Sequence, residues 1–326
     1  MIKLDRGYPL VRIEDGTEYR CKHATSLVKG QDVRAVIGDK VKLRIQEGHD
    51  KAIIEKILPR EKVFIRKDPT EQALPQILAA NFDCILVAQP IHEVNIRRLE
   101  RELVLAHETG ARVVVVLTKA DLIDDAEDIQ SRVGQVQDML DDEELLLVSA
   151  DDKAAIEALR RLIPEGEMAV LMGKSGVGKS SLVNLLAGEE LQATGTVRQA
   201  DGKGRHTTVS REIIAIPEGG WIVDMPGIRG LGLWDAETGI STAFADIEEL
   251  ALQCRFRDCR HENEPGCAVC AAIAEGGLKQ TRLTSYRALR LETAHVSQRR
   301  EEAARMRERS GHPRRRQKGP SEDMND

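Results

Sequence analysis

The 326-residue chain is poor in aromatic side chains: two Trp, three Tyr and four Phe make up 3% of it. Surfaces that bind nucleic acid chiefly by stacking bases need several exposed rings in succession; the first 66 residues offer only Tyr8, Tyr19 and Phe64, so backbone contact is expected there ahead of base stacking. Long apolar runs are also missing. No stretch approaches the ~18–20 apolar residues of a membrane span, and 31% of residues are charged against 41% hydrophobic; no membrane association is expected. The opening Met1-Ile2-Lys3-Leu4-Asp5-Arg6 has no signal-peptide core, and a cytoplasmic location is expected. No internal repeat is found. Cysteine is scarce outside one place. Of six, four fall between residues 254 and 270, which in a reducing compartment suggests a metal before disulfides. Cys21 and Cys84 lie in apolar, strand-like segments and read as core residues.

What is present begins with Gly173-Lys174-Ser175-Gly176-Val177-Gly178-Lys179-Ser180, a full match to G-x-x-x-x-G-K-[ST]. The apolar run Met168-Ala169-Val170-Leu171-Met172 precedes it. Ser181-Leu182-Val183-Asn184-Leu185-Leu186 follows with helical spacing, which completes the strand–loop–helix setting the pattern requires. Gly173, Gly176 and Gly178 allow the backbone to curl so that successive amides wrap a polyphosphate. The helix N-terminus adds partial positive charge. Lys179 is placed to bridge β- and γ-phosphates, and the Ser180 hydroxyl to ligate Mg²⁺, with Ser181 beside it. This is a nucleotide-phosphate site.

Around that loop the chain divides into segments of different pattern. Residues 1–66 read as short strands: Tyr8 to Ile13, a D-G turn at Asp15-Gly16, Glu18 to Cys21, Lys40 to Ile45 and Lys51 to Leu58. Such spacing suggests a small all-β barrel, and an oligonucleotide-binding (OB) fold suits it. Its solvent faces carry Lys40, Lys42, Arg44, Lys51 and Lys56, so contact with RNA would go through the phosphate backbone; a purely structural barrel is the alternative. Residues 67–234 alternate strand and helix, with the continuous run Ala111 to Leu117 of a central parallel strand. Residues 235–310 are mostly helical and hold the cysteine cluster and a long Arg-rich helix, and 311–326 reads as a disordered tail. The net charge of −6 conceals twelve Arg and Lys against four Glu between Arg282 and Lys318. That run is either a solvated helix face or an arm that seeks phosphate.

Two further motifs fall at strand ends. Thr118-Lys119-Ala120-Asp121 resembles the guanine-reading [NT]-K-x-D of GTPases. The Asp121 carboxylate can accept from both N1–H and the N2 amine of guanine, which adenine cannot reproduce, and Lys119 can lay its stem along the base. Ser149-Ala150 resembles the next guanine element, where a backbone amide meets O6. At the C-terminal ends of parallel strands both lie where α/β sheets place ligands. Asp224-Met225-Pro226-Gly227 is D-x-x-G: its Asp would hold Mg²⁺ through water, and the Gly227 amide would sense the γ-phosphate. Ile228 stands where Ras-like GTPases carry the water-positioning Gln, and His206, beside Thr207 and Thr208 in Gly204-Arg205-His206-Thr207-Thr208, is the favoured substitute. One of the two threonines is expected on Mg²⁺ with Ser180.

The guanine elements precede the phosphate loop, whereas in most GTPases they follow it. A circularly permuted chain in the order G4-G5-G1-G2-G3 builds the same α/β P-loop domain. The permuted order, the G-R-H-T-T segment and the Cys/His spacing closely resemble the small ribosomal subunit biogenesis GTPase RsgA family, of the YjeQ/YloQ type, over almost the whole chain. The resemblance implies an OB barrel, the permuted GTPase domain and a C-terminal zinc domain. It implies GTP/GDP with Mg²⁺ and one structural Zn²⁺ on Cys254, Cys259, His261 and Cys267. Spacing alone leaves an exchange of Cys270 for Cys254 open. Further implications are binding to the 30S subunit and 16S rRNA, late-stage maturation, and GTP hydrolysis by Lys179 and His206 stimulated by the small subunit; a monomer is expected. The family more often has Asn at position 118, so the contact of Thr118 does not follow from the pattern as that of Asp121 does. One departure from the family pattern is expected at the start: a shortened first barrel strand, without the basic N-terminal extension of many members. The second reading, from another class, is an rRNA-binding scaffold whose nucleotide is regulatory and scarcely turns over. A metabolic P-loop kinase is a weaker third, lacking a recognisable acceptor pocket.

Overall fold

The computed structural model describes residues 1–5, 8–28, 34–46, 51–67, 75–189, 191, 211–225, 232–234 and 236–310. His206, Thr207, Thr208, Gly227 and the 311–326 tail lie outside the described residues. The first strands are β1 (Lys3–Asp5), β2 (Tyr8–Arg12), β3 (Glu18–His23), β4 (Val41–Arg44) and β5 (Ala52–Ile57), with a short helix α1 (Thr25–Val28) after β3. They pair in the order β1-β2-β3-β5-β4; β3 runs parallel to β5 and the other pairs are antiparallel. The turn between β2 and β3 needs Gly16, whose φ is +88°, and Asp15 Oδ1 accepts the Thr17 amide at 2.8 Å. Next comes a separate antiparallel hairpin of β6 (Val63–Lys67) and β7 (Pro75–Ala80). Its end is clamped to the first strands at Gly38. A Cβ there would stand 1.9 Å from the Ala80 carbonyl oxygen, so only glycine permits the approach.

The central strands are β8 (Cys84–Pro90), β9 (Arg112–Thr118), β10 (Glu144–Val148), β11 (Met168–Met172), β12 (Arg211–Ala215) and β13 (Trp221–Asp224). Their order is β10-β9-β8-β11-β13-β12, parallel except for β12. Strand β12 then pairs antiparallel with β1, so the N-terminal strands and the central sheet share an edge. All seven residues of β8 and all five of β11 are buried, because helices cover both faces.

Leu86, Val114, Val116 and Leu171 point to one layer, against α4 (Lys153–Arg161) and α5 (Lys179–Ala187). Ile85, Val87, Val115 and Val170 point to the other, against α2 (Ile96–His107) and α3 (Ala126–Gln137). Helix α2 is capped at its start, with Asn95 Oδ1 accepting the Arg98 amide at 3.0 Å. Beyond β13 follow α6 (Glu237–Ala243), α7 (Ala245–Ala251), α8 (Ala268–Ala274) and α9 (Gln280–Ser310). Helix α6 rests directly on α2: a Cβ on Gly239 would meet the Val104 carbonyl at 2.1 Å.

Candidate guanine-nucleotide site and metal centre

Among the described residues, the motifs of the central sheet lie at one edge. Register places Val148 beside Thr118, Thr118 beside Pro90, and Asp224 beside Leu171. The C-terminal ends of β8, β9, β10, β11 and β13 thus converge around the loop that follows β11. In that loop Gly173, Gly176 and Gly178 have φ of +154°, +86° and +99°. A Cβ at Gly173 would stand 2.6 Å from the Ala88 carbonyl oxygen of the neighbouring strand, so the loop lies hard against β8. Lys174, Ser175 and Gly176 are exposed, Ser180 and Ser181 half-buried, and Lys179 is 7% exposed.

The Lys179 ammonium donates to the Gly173 carbonyl at 2.8 Å and the Lys174 carbonyl at 3.0 Å. It therefore curls back over the loop. Burial pulls its pKa below the ordinary lysine value, against the opposing pull of the Asp224 and Glu102 carboxylates. A buried cation on a glycine-rich loop at a helix N-terminus is suited to receive an anion.

The Thr118–Asp121 motif is tied to the loop after β11 by two bonds. Thr118 Oγ1 donates to the Val177 carbonyl at 2.5 Å, with the Gln89 carbonyl at 3.3 Å. The short threonine reaches because β9 and the loop lie so close that Gly178 faces its hydroxyl. Lys119, with a left-handed φ of 60°, donates from Nζ to the Gly176 carbonyl at 2.7 Å. Asp121 stands exposed in the single turn Ala120–Leu122. Ser149 and Ala150 follow β10 directly, and the Ser149 carbonyl accepts the Asp152 amide at 3.3 Å. Ser180 and Asp224 could hold Mg²⁺ at the phosphate end.

Three residues of the same neighbourhood carry no motif signal. Gln89, 2% exposed at the end of β8, donates to Glu102 at 2.5 Å, and Glu102 accepts from Arg98 Nε at 2.9 Å. The clue available in sequence was a glutamate one position from Leu103 on the apolar face of α2.

The metal centre lies between α7 and α8. Cys254, Cys259, His261 and Cys267 bring their ligand atoms within 4.8 Å of one another. Cys254 Sγ lies 3.9 Å from Cys267 Sγ, and His261 Nδ1 lies 3.4 Å from Cys267 Sγ. Ligand atoms of a tetrahedral zinc site with bonds of ~2.3 Å stand about 3.8 Å apart, so the donor set and its spacing fit Zn²⁺. Cys270 is outside this group of four; its backbone amide donates to Cys267 Sγ at 3.4 Å, a support for the thiolate. Burial pushes the thiol of Cys84 up to about 12 and that of Cys21 to about 11, as inert core cysteines require.

Comparison with known proteins bears on family and fold. A family model described as RsgA GTPase matches residues 57–234. A protein of Streptomyces avermitilis named small ribosomal subunit biogenesis GTPase RsgA is 41% identical over 297 residues, 91% of this chain and 79% of the relative. One of Methanosarcina acetivorans with the same name is 38% identical over 267 residues, covering 82% and 72%. The crystal structure of YjeQ from Thermotoga maritima superposes with a TM-score of 0.66 at 25% identity, covering 90% of this chain and 96% of that one. The structure of YloQ, described as a circularly permuted GTPase, gives 0.62 at 24% identity, with 90% and 93% covered.

Proposed function

The chain belongs to the RsgA GTPase family, and from that premise we propose that it is a GTP-timed clamp on the small ribosomal subunit. It is a ribosome-biogenesis GTPase. In this reading it binds the 30S particle through 16S rRNA phosphates, assists late maturation, and hydrolyses GTP faster when bound. It acts as a cytoplasmic monomer. The observation that carries the reading is the bond from Thr118 to the Val177 carbonyl at 2.5 Å, because it joins a base-reading motif to a phosphate loop across the permuted order.

This reading gives each motif a role. Gly173 to Gly178 and the amides of Ser180 and Ser181 cradle the β- and γ-phosphates, and Lys179 moves from the loop carbonyls to neutralise them. Asp121, Lys119, Thr118, Ser149 and Ala150 select guanine. Mg²⁺, held by Ser180 with Thr207 or Thr208 and by Asp224 through water, would supply charge neutralisation at the transferred phosphoryl group. His206 orients the attacking water, and Gly227 reports the γ-phosphate.

Residues 1–66 act as an OB-type RNA-binding domain, supported by the order β1-β2-β3-β5-β4 with β3 parallel to β5. Residues 67–234 form the permuted GTPase domain, and 235–310 the zinc domain, whose Cys₃His set gives a closed structural site. Arg255, Arg257 and Arg260, all exposed around the cluster, suit rRNA phosphates. Filter binding of the protein to 30S particles tests the clamp: a GTP analogue should bind the protein to the particle more tightly than GDP does. Equal affinity would end the switch reading and leave a nucleotide-regulated rRNA scaffold.

A further inference from the structure

Beneath the phosphate loop lies a charge pair that the nucleotide motifs do not include. The Glu102 side chain is wholly buried and its partner Arg98 is 27% exposed. Gln89 fixes the carboxylate from the other side at 2.5 Å, one residue after the Ala88 carbonyl that crowds Gly173. An anion buried this close to a polyphosphate site repels the ligand, and Arg98 is the countercharge that limits the repulsion. Lys179 senses both groups: Glu102 and, more strongly, Asp224 on β13 raise its pKa, while Arg98 adds to the lowering effect of burial.

We propose that the Arg98–Glu102 pair sets how tightly the loop holds nucleoside polyphosphates, with Glu102 weakening the grip so that the diphosphate product leaves. The inference rests on Gly173 to Ser180 being the nucleotide-phosphate site. Neither residue touches the reacting atoms; both act through the field at Lys179 and the loop amides. The effect grows with ligand charge, so it discriminates by phosphate number and leaves the base contacts alone.

Affinities for GMP, GDP and a non-hydrolysable GTP analogue, at fixed Mg²⁺ and salt and at pH 8.5, provide the test. Glu102→Gln keeps the shape, since its amide oxygen still accepts from Arg98 and the Gln89 amide can turn to accept in its place. It should tighten GDP and the GTP analogue by about fivefold or more, most for the analogue, with GMP least changed. The double variant Arg98→Gln/Glu102→Gln, again charge-balanced, should return within about twofold of wild type. Arg98→Gln alone, on the exposed partner, should loosen GDP and the analogue and keeps the test open should Glu102→Gln fail to fold. A uniform loss for all three nucleotides, or an unchanged ladder, overturns the proposal in favour of a packing role. A wild-type protein that binds neither GDP nor the analogue would instead contradict the site assignment.

Discussion

Arg101 of α2 grips Glu292 of α9 with both guanidinium arms, at 2.9 and 2.6 Å, and the same carboxylate accepts the Leu233 amide at 3.4 Å. Leu233 lies nine residues beyond Asp224. One carboxylate therefore joins the sheet-covering helix, the long C-terminal helix and the chain leaving the phosphate site. Arg282 makes a second anchor on α9, to Asp246 at 2.5 and 2.8 Å and over the Phe244 ring at 4.7 Å. Glu292→Ala should lower the thermal stability of α9 docking by about 1 kcal/mol, the worth of a partly exposed pair, with GDP affinity unchanged. Calorimetry of the variant beside Arg101→Glu/Glu292→Arg, which should recover part of the loss, checks it. An unaltered melt would remove the pair from the docking interface.

Thr118 bonds the loop after Met172 through the Val177 carbonyl, and in the proposed reading it couples base and phosphate recognition. Thr118→Val keeps the volume but leaves the Val177 carbonyl without its donor, a cost of about 1–2 kcal/mol. Nucleotide affinity should fall by about tenfold, GDP and GTP alike, in a fluorescent-nucleotide titration. Wild-type affinity in that variant would show that the bond contributes nothing to the loop.

In the proposed reading Asp121 selects the base. Asp121→Asn replaces one acceptor with a donor, so guanine's N1–H and N2 amine lose their shared partner. GTP affinity should drop by roughly two to three orders of magnitude, and xanthosine triphosphate, with a carbonyl at that position, should bind better than to wild type. Competition between the two nucleotides reads the change directly. Unaltered GTP preference would displace Asp121 from the base site.

The zinc assignment separates two cysteines three residues apart. Cys267→Ser should abolish the bound metal and melt the C-terminal module, because closed Cys₃His sites convert binding energy into folding energy. Cys270→Ser should keep one zinc per chain by elemental analysis. Loss of metal from Cys270→Ser with retention in Cys254→Ser would reverse their roles.

Much of this architecture was legible because burial left its mark on composition. Strands covered on both faces, such as Cys84–Pro90 and Met168–Met172, must be apolar throughout, and the motifs lie at their ends. Helix Ala126–Gln137 left little trace, since Val136 is its single buried residue. The hairpin of Val63–Lys67 and Pro75–Ala80 was invisible as well, its register broken between Phe64 and Ile65. At the site, glycine spacing and the Lys179–Ser180 pair encode a loop whose function needs backbone geometry. The Gln89–Glu102–Arg98 network has no such code, because its meaning arises only when α2 packs under the loop. The reach of Thr118 was equally hidden, being set by the distance between strands and not by side-chain length.

The most direct measurement is the GTP hydrolysis rate with and without purified 30S subunits, with the Lys179→Ala variant as reference. A 30S-stimulated GTPase predicts slow turnover alone, a rise of an order of magnitude or more, roughly, on adding the particles, and neither activity in Lys179→Ala. Turnover that is indifferent to 30S subunits would contradict the account.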